Sequence, residues 1–417
     1  MKVLWLSNTQ LVSDNKGVGC SWIGTLENEL SKVSDIQLGI SFKSSQSDIS
    51  NLNTGNTKYF PLNIKPSKNK FSQIFERFTH KIEDEHIINL YLETIHQFNP
   101  DLIHVFGTEN VFGLIVLKTN VPCIIHLQGN LTVNNLKWFT GLTAIDILKY
   151  SKKWFLLRGH GLFHDYYINK NAADREVKIF RACKYFMGRT DWDRRLSSVL
   201  SPDSKYFHCE EIMRTGFYSN KWESQNNQTD YVIISTIRNN IFKGLETIFE
   251  CKKILNRNFP KLSIIWKIAG IRETDEISNL VERKFKAKFK DNIIQLLGPL
   301  QEQELINEML NANLYVHPSH IENSSNSICE AMLLGMPIIA TYAGGTPSIL
   351  GDKNEGLLVQ DGDPYALAGA IIELYKNREF AKSLGSKARV KSFIRNDKEK
   401  IVKDVINIYA SILSDKY

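Results

Sequence analysis

The chain has 417 residues, is 42% hydrophobic and 23% charged, and carries a formal net charge of +7, an ordinary globular balance that excludes a disordered or fibrous protein and, at roughly 100–200 residues per domain, predicts two buried cores. Six cysteines (Cys20, Cys123, Cys183, Cys209, Cys251, Cys329) without paired spacing argue against a disulfide framework or zinc knuckle and for a reducing compartment. The apolar residues 3–6 are too few for a secretory leader, and no uncharged apolar run reaches roughly 18 residues, so the expectation is a cytoplasmic protein with no spanning helix.

In chain order, the first half reads as short apolar strands at residues 2–6, 36–41, 102–106, 123–127 and 185–187, separated by longer stretches of helical periodicity. Gly17 and Gly19 follow the first strand ahead of a helical stretch. Residues 149–195 hold twelve Lys or Arg against five Asp or Glu. There Lys149, Lys152, Lys153 and Arg158 interleave with Tyr150, Trp154, Phe155 and Leu157, a mix that suits anionic headgroups or a lipid-linked acceptor and equally a solvated helix face with core aromatics. The polar stretch 219–230 reads as a connection, with the boundary near residue 220. The second half gives strands at 231–235, 262–269, 293–297, 314–316, 337–340 and 356–359, and the chain closes on an amphipathic stretch at 398–413. Strands alternating with helices imply an α/β fold on parallel sheets. The expected division is an N-terminal Rossmann-like domain at 1–220, a second at 221–395 and a C-terminal helix, 396–417, packing back across the first.

The chemistry concentrates in the second half. After the strand at 231–235 come Arg238 and Lys243, five apart in a loop at a carboxyl strand end, where doubly wound sheets bind ligands. Arginine can grip phosphate oxygens bidentately and lysine can follow as a mobile charge, so the pair can serve a diphosphate, although two cations in a loop also read as solvated. The strand at 314–316 runs into a polar loop with Glu322 and Glu330 eight apart, and Ser324, Ser325, Asn326 and Ser327 mark a helix start. A helix N-terminus offers unpaired N–H groups to an anion, and the same serines and asparagines suit plain capping. Glu330, one turn in, is placed to accept hydrogen bonds from a ribose diol, and Glu322 to face a sugar.

The ordered set Arg238-x4-Lys243, residues 266–270, Gly298-Pro-Leu, Pro318-Ser319, Glu322-x7-Glu330-Ala331-Met332, Gly335-Met-Pro337 and Gly344-Gly345 resembles retaining glycosyltransferases of the GT-B fold, family four, over residues 230–390. The resemblance implies a GT-B architecture of two facing Rossmann-like domains with mainly parallel sheets and a cleft between them. It implies a nucleotide-sugar donor in the C-terminal domain, a saccharide or lipid-linked saccharide acceptor in the N-terminal one, and catalysis with no essential metal or other cofactor. Carried onto these positions, it puts Arg238 and Lys243 on the donor phosphates, Glu322 on the transferred sugar and Glu330 on the ribose. Gly298 would lie near the base, and Gly344 and Gly345 would let backbone approach the donor. Gly17 and Gly19 resemble the family's glycine loop beside donor phosphate and acceptor. The family's commonest setting implies capsule, O-antigen or exopolysaccharide synthesis with a lipid-linked acceptor at the inner face of the cytoplasmic membrane; peripheral contact there would run through the basic and aromatic residues 149–158, and no nucleic-acid partner is expected.

Two positions depart from the family pattern. Asn323-Ser324-Ser325-Asn326 stands where Gly-Phe-Gly is common, and Gln128 stands where a histidine is common, with His126 two residues earlier on the same strand face. Either could meet donor sugar or acceptor, though a lone strand histidine is more often a core residue. Asp191-Trp-Asp193 and Asp361-Gly-Asp363 look like metal-binding pairs, but Asp363 before Pro364 has the grammar of a helix N-cap and Asp191 and Asp193 have arginine neighbours. A dehydrogenase is disfavoured because Gly17-x-Gly19 does not continue into the dinucleotide fingerprint. The competing readings are a sugar-nucleotide 2-epimerase on the same fold and a catalytically silent nucleotide-sugar-binding partner.

Overall fold

A computed structural model of the chain describes residues 1–8, 22–44, 53–54, 56–64, 70–80, 85–224 and 230–415. It resolves into two compact units, the first made of Met1–Asn135, His164–Ile212 and Asn396–Tyr417, the second of Leu136–Phe163 and Met213–Arg395.

The first unit contains strands β1 (Lys2–Leu6), β2 (Gln37–Ser44), β3 (Asn53–Thr54), β4 (Thr57–Asn63), β5 (Leu102–Phe106), β6 (Cys123–His126), β7 (Tyr185–Gly188) and β8 (Lys205–His208). They form one sheet in the order β3-β4-β2-β1-β5-β6-β7-β8, parallel throughout except for β3 against β4. Strands β1 and β5 are apolar along nearly their whole length because helices cover both sheet faces and leave no side to water. The order reverses between β1 and β5, which makes their carboxyl ends the switch point of this sheet.

The second unit contains β9 (Tyr231–Thr236), β10 (Ile264–Ala269), β11 (Ile294–Gly298), β12 (Leu314–His317), β13 (Ile338–Thr341) and β14 (Leu357–Val359), ordered β11-β10-β9-β12-β13-β14 and all parallel. Its switch point lies between β9 and β12. Trp266 in this core donates its indole N–H to the Ser235 hydroxyl at 3.1 Å, and Trp222 donates to the Ala312 carbonyl at 2.7 Å, so both large rings are buried with their polar atom satisfied.

Eleven strands were expected from the sequence, and each has a counterpart within a few residues. Strands β3, β4 and β8 escape an apolar-run criterion for physical reasons. Strand β8 is a half-exposed edge, and β4 carries Pro61, tolerated because, among the described residues, β3 pairs only with Thr57 and Lys58 and leaves the outer side of Pro61 unpaired.

The division into units differs from the expected boundary near residue 220 in two respects. The break falls between Ile212 and Met213, and the segment Leu136–Phe163, numbered with the first half, belongs to the second unit. There Lys284 bridges to Asp146 at 3.1 Å and Arg283 donates to the Tyr150 carbonyl at 2.8 Å. A contiguous reading of the sequence cannot anticipate a segment that leaves one core and joins another.

The C-terminal helix Lys398–Ser414 returns to the first unit, burying Ile401, Val405, Ile408, Tyr409 and Ile412 against the apolar cluster around Val3, Trp5, Leu38 and Ile40. The Tyr409 hydroxyl accepts from the Trp5 indole N–H at 3.1 Å and lies 2.6 Å from His104 Nδ1. Burial pushes His104 down to about 3, so the imidazole is neutral and its Nδ1 can accept the tyrosine proton. Tyr409→Phe leaves that nitrogen and the Trp5 N–H buried without partners, and the first unit should lose about 1–3 kcal/mol. Urea denaturation followed by tryptophan fluorescence checks this; an unchanged midpoint would mean that the hydroxyl is not what fixes the helix.

Candidate functional site

Two loops meet at the switch point of the second unit. The first leaves β9, carries the exposed Arg238, and makes a short turn, Ile241–Lys243, before the helix Leu245–Asn258. The second leaves β12 at His317 and ends at the helix Asn326–Leu334. Gly244 holds them together: its φ is 74°, and a Cβ there would stand 2.0 Å from the Pro318 carbonyl oxygen, so only glycine permits this approach. A third loop closes on the same place. Gly344 has φ 55°, a Cβ on it would stand 2.0 Å from the Glu322 carbonyl oxygen, and the next amide, Gly345 N–H, donates to that oxygen at 2.9 Å.

Glu322 is therefore fixed by its backbone and again by its side chain. Its Oε2 lies 2.5 Å from Lys243 Nζ and 3.2 Å from His317 Nε2, and the carboxylate and ammonium are each 16% exposed. Burial alone would push this carboxyl up, but the Lys243 charge and the His317 and Lys243 hydrogen bonds outweigh it and hold the group well below the usual carboxylate range. Lys243 gives one of its three N–H bonds to Glu322 and keeps further donors for a ligand.

Glu330 sits one turn into the helix Asn326–Leu334, almost fully buried. Arg214 grips it bidentately, Nε to Oε1 at 2.7 Å and Nη2 to Oε2 at 2.8 Å. Burial raises the Glu330 carboxyl above its ordinary value, opposed chiefly by the Arg214 bonds and also by the charge of Arg238. A carboxylate has about four lone-pair directions, so two remain for a diol. The nearby hydroxyls form a chain: Ser325 to Ser327 at 2.9 Å, Ser327 to Tyr315, and Tyr315 to Thr236 at 2.7 Å. The helix has Ser325 at its N-cap position but no side-chain cap, so capping does not account for the serines. Asn326 begins the helix, and the buried Ser324 hydroxyl makes no hydrogen bond among the described residues.

The structure brings Lys243, Glu322, Gly344 and Gly345 into contact and sets Arg238 within electrostatic range of Glu330. Gly298 ends β11, two strands from β9, beside the Arg272 side chain. Arg214 and His317 are site residues that the sequence reading missed, as are Glu246 and His320, which pair at 2.5 Å with His320 Nδ1 3.6 Å from Asp361. Burial opposes the charged form of each partner in the His320–Glu246 pair, yet their mutual contact raises the imidazole and lowers the carboxyl. This buried pair anchors the β12 loop to the helix that follows Lys243. Asp363 caps the helix Pro364–Lys376, and Asp193 closes a capping box with Thr190, so neither aspartate pair is built as a metal motif.

In the first unit, Gly17 and Gly19 lie outside the described residues. His126 ends β6 inside the core, its ring against Trp22 and His104. Burial drives its pKa well down, and the nearest carboxylate, Glu211, is 3.6 Å away. Gln128 donates to Glu211 at 3.1 Å, and Glu211 is itself paired with Arg189 at 2.5 Å. Glu109, in the loop after switch-point strand β5, was not anticipated. Its carboxyl lies against Gly107 and Gly129, and burial pushes it up to about 7.

Residues 217–391 match the family described as Glycosyl transferases group 1. N-acetyl-alpha-D-glucosaminyl L-malate synthase of Bacillus anthracis is 32% identical over 117 residues, 28% of this chain and 31% of that protein. Putative glycosyltransferase EpsD of Bacillus subtilis is 24% identical over 186 residues, 45% of this chain and 47% of that one. The chain thus spans less than half the length of either relative. Among solved structures, sucrose-phosphate synthase from Thermosynechococcus elongatus is similar with a TM-score of 0.72 at 14% identity, covering 99% of both chains. HepE of Anabaena, in complex with UDP and glucose, has a TM-score of 0.68 at 14% identity over 99% of this chain and 100% of that one. The fold class is that of these GT-B neighbours: two Rossmann-like units on mainly parallel sheets.

Because Lys243 depresses Glu322, that carboxylate's contribution to stability is present at neutral pH, above its unfolded pKa, and is lost only as pH falls through its low folded value. Lys243→Met leaves burial as the largest influence and raises the folded pKa, which reverses the sign. From about pH 8 down to about pH 5 the variant should gain stability relative to wild type. Thermal melts of both proteins across that range decide it, and parallel curves would show that Lys243 does not control Glu322.

Proposed function

Taking as premise that residues 217–391 are a group 1 glycosyl transferase domain, we propose that the chain is a retaining, metal-independent hexosyltransferase. It moves a hexose from a UDP- or GDP-sugar to the hydroxyl of a saccharide or lipid-linked saccharide in cell-surface polysaccharide synthesis, on the cytoplasmic side. The observation that carries this reading is the Lys243–Glu322 pair, fixed by Gly244 and Gly344 at the switch point between β9 and β12.

The chemistry follows from charge. As the bond from the anomeric carbon to the diphosphate oxygen breaks, negative charge grows on the diphosphate, and Arg238, Lys243 and the N-terminus of the helix Asn326–Leu334 are the groups positioned to meet it. Fixed cations in this role make a metal ion unnecessary. The acceptor oxygen bonds to the anomeric carbon from the face the leaving group vacates, and its proton passes to a diphosphate oxygen, so configuration is retained. Glu322, ionised and immobile, accepts hydrogen bonds from the sugar hydroxyls, and Glu330 accepts from the ribose diol while Arg214 holds it in place. The first unit takes the acceptor. Two further observations suit the reading: HepE binds UDP and glucose on a similar fold, and the five described cysteines are all free and buried, as in a reducing compartment.

The test is a calorimetric panel of UDP, GDP and ADP with their hexose conjugates, with and without EDTA, followed by NMR of the product's anomeric proton. One nucleotide series should bind, binding and turnover should survive EDTA, and the new linkage should keep the donor's configuration. Arg238→Ala and Lys243→Ala should each lower turnover by about 10²-fold or more with folding intact. Turnover within about threefold of wild type would contradict the assignment, because lost charge-stabilising donors usually cost far more.

A further inference from the structure

The segment Leu136–Phe163 leaves the first unit's core, packs on the second, and returns. Its two helices Ala144–Tyr150 and Lys153–Leu157 leave an apolar side uncovered. Ile145 is 74% exposed, Leu148 48%, Trp154 58% and Leu157 73%. Each pair is three residues apart on its helix, so each helix presents its pair on one face.

The exposed charge of the segment itself is one-sided, with Glu276 of the neighbouring helix near Lys152. Lys149, Lys152, Lys153 and Arg158 are exposed among them, and the segment's one carboxylate, Asp146, is neutralised by Lys284 at 3.1 Å and occupied as a helix cap for Thr143. Arg158 lies over the Trp154 ring with 3.9 Å to its centroid, and Lys149 over Tyr150 at 5.0 Å, so each cation sits against an aromatic ring. Beyond the helix Glu276–Phe285, whose Arg283 and Lys284 hold this segment, Lys286 and Lys290 are exposed, while Lys288 is paired with Glu282 at 2.7 Å.

We propose that this segment is a docking surface for anionic lipid bilayers, with Trp154 and Leu157 entering the headgroup boundary and the surrounding cations meeting lipid phosphates. Apolar anchors ringed by lysine and arginine gain from both parts of such a surface, the acyl boundary and its negative potential. A second copy of the chain would bring cations against cations, so the bilayer is the favoured occupant. The surface does not depend on the donor site, and its failure would leave the transferase reading standing.

Co-sedimentation of the full chain with vesicles tests it, comparing phosphatidylglycerol–phosphatidylcholine mixtures with phosphatidylcholine alone at about 0.15 M and about 1 M salt. Binding to the anionic vesicles should exceed binding to neutral ones at least about tenfold and weaken at the higher salt. Two double variants, Trp154→Ala with Leu157→Ala and Lys152→Glu with Lys153→Glu, should each lose at least about tenfold in partitioning while keeping the wild-type melting temperature and nucleotide binding. Absence of wild-type binding, or equal binding by both variants, would overturn the proposal. So would a concentration-dependent dimer in sedimentation velocity that the apolar double variant abolishes, because that assigns the face to a second copy.

Discussion

Lys243 and Glu322 stand on loops that leave two different strands, 79 positions apart, and the 2.5 Å contact between them makes those loops one site. Each neighbouring feature serves that contact. Gly244 seats the β9 loop against Pro318, Gly344 and Gly345 seat the β13 loop against the Glu322 backbone, and His317 steadies the carboxylate from the strand end. A largely buried ion pair is a poor investment in stability, because desolvating both charges consumes most of their attraction. Its value here is geometric: a charged acceptor and a charged donor held at fixed positions where the sheet order reverses. The His320–Glu246 pair repeats the device one layer back, joining the β12 loop to the helix that begins after Gly244.

The first unit has its own concentration of polar groups at the carboxyl edge of its sheet. Glu211 is shared by Gln128 and Arg189, and Glu176 binds the Thr132 amide and hydroxyl and the Leu131 amide, which fixes the start of the helix Leu131–Leu136. Glu109 occupies the loop after a switch-point strand, and burial pushes its carboxyl up to about 7.

The fold was legible because it rests on parallel strands buried on both faces, whose apolar runs, such as those of β1, β5 and β12, cannot be mistaken for solvated segments. Edge strands are half polar, and β8 accordingly went unread. The candidate-site positions were easy to single out because they sit close to strand ends at short spacings: Arg238 and Lys243 after β9, Glu322 and Glu330 after β12. What was not legible depends on distance along the chain. Arg214 reaches Glu330 across 116 positions, and nothing at Arg214 itself signals that partner. His317 and His320 flank the quoted Pro318-Ser319 pair, yet a histidine's role depends on which carboxylate folding brings to it. The transfer of Leu136–Phe163 to the second unit is of the same kind, since its apolar and basic composition was evident while its place was not.

Glu322 either faces the transferred sugar, as proposed, or merely supports Lys243. The most direct measurement is calorimetric: the affinity of the preferred nucleoside diphosphate and of its hexose conjugate, each for wild type and for Glu322→Gln. If Glu322 reads the sugar, the variant binds the bare diphosphate as wild type does, and the added affinity of the conjugate falls by about tenfold, the cost of one or two charge-assisted hydrogen bonds. If both ligands weaken together, Glu322 acts only by holding Lys243, and if neither changes, the pocket is not where the sugar lies.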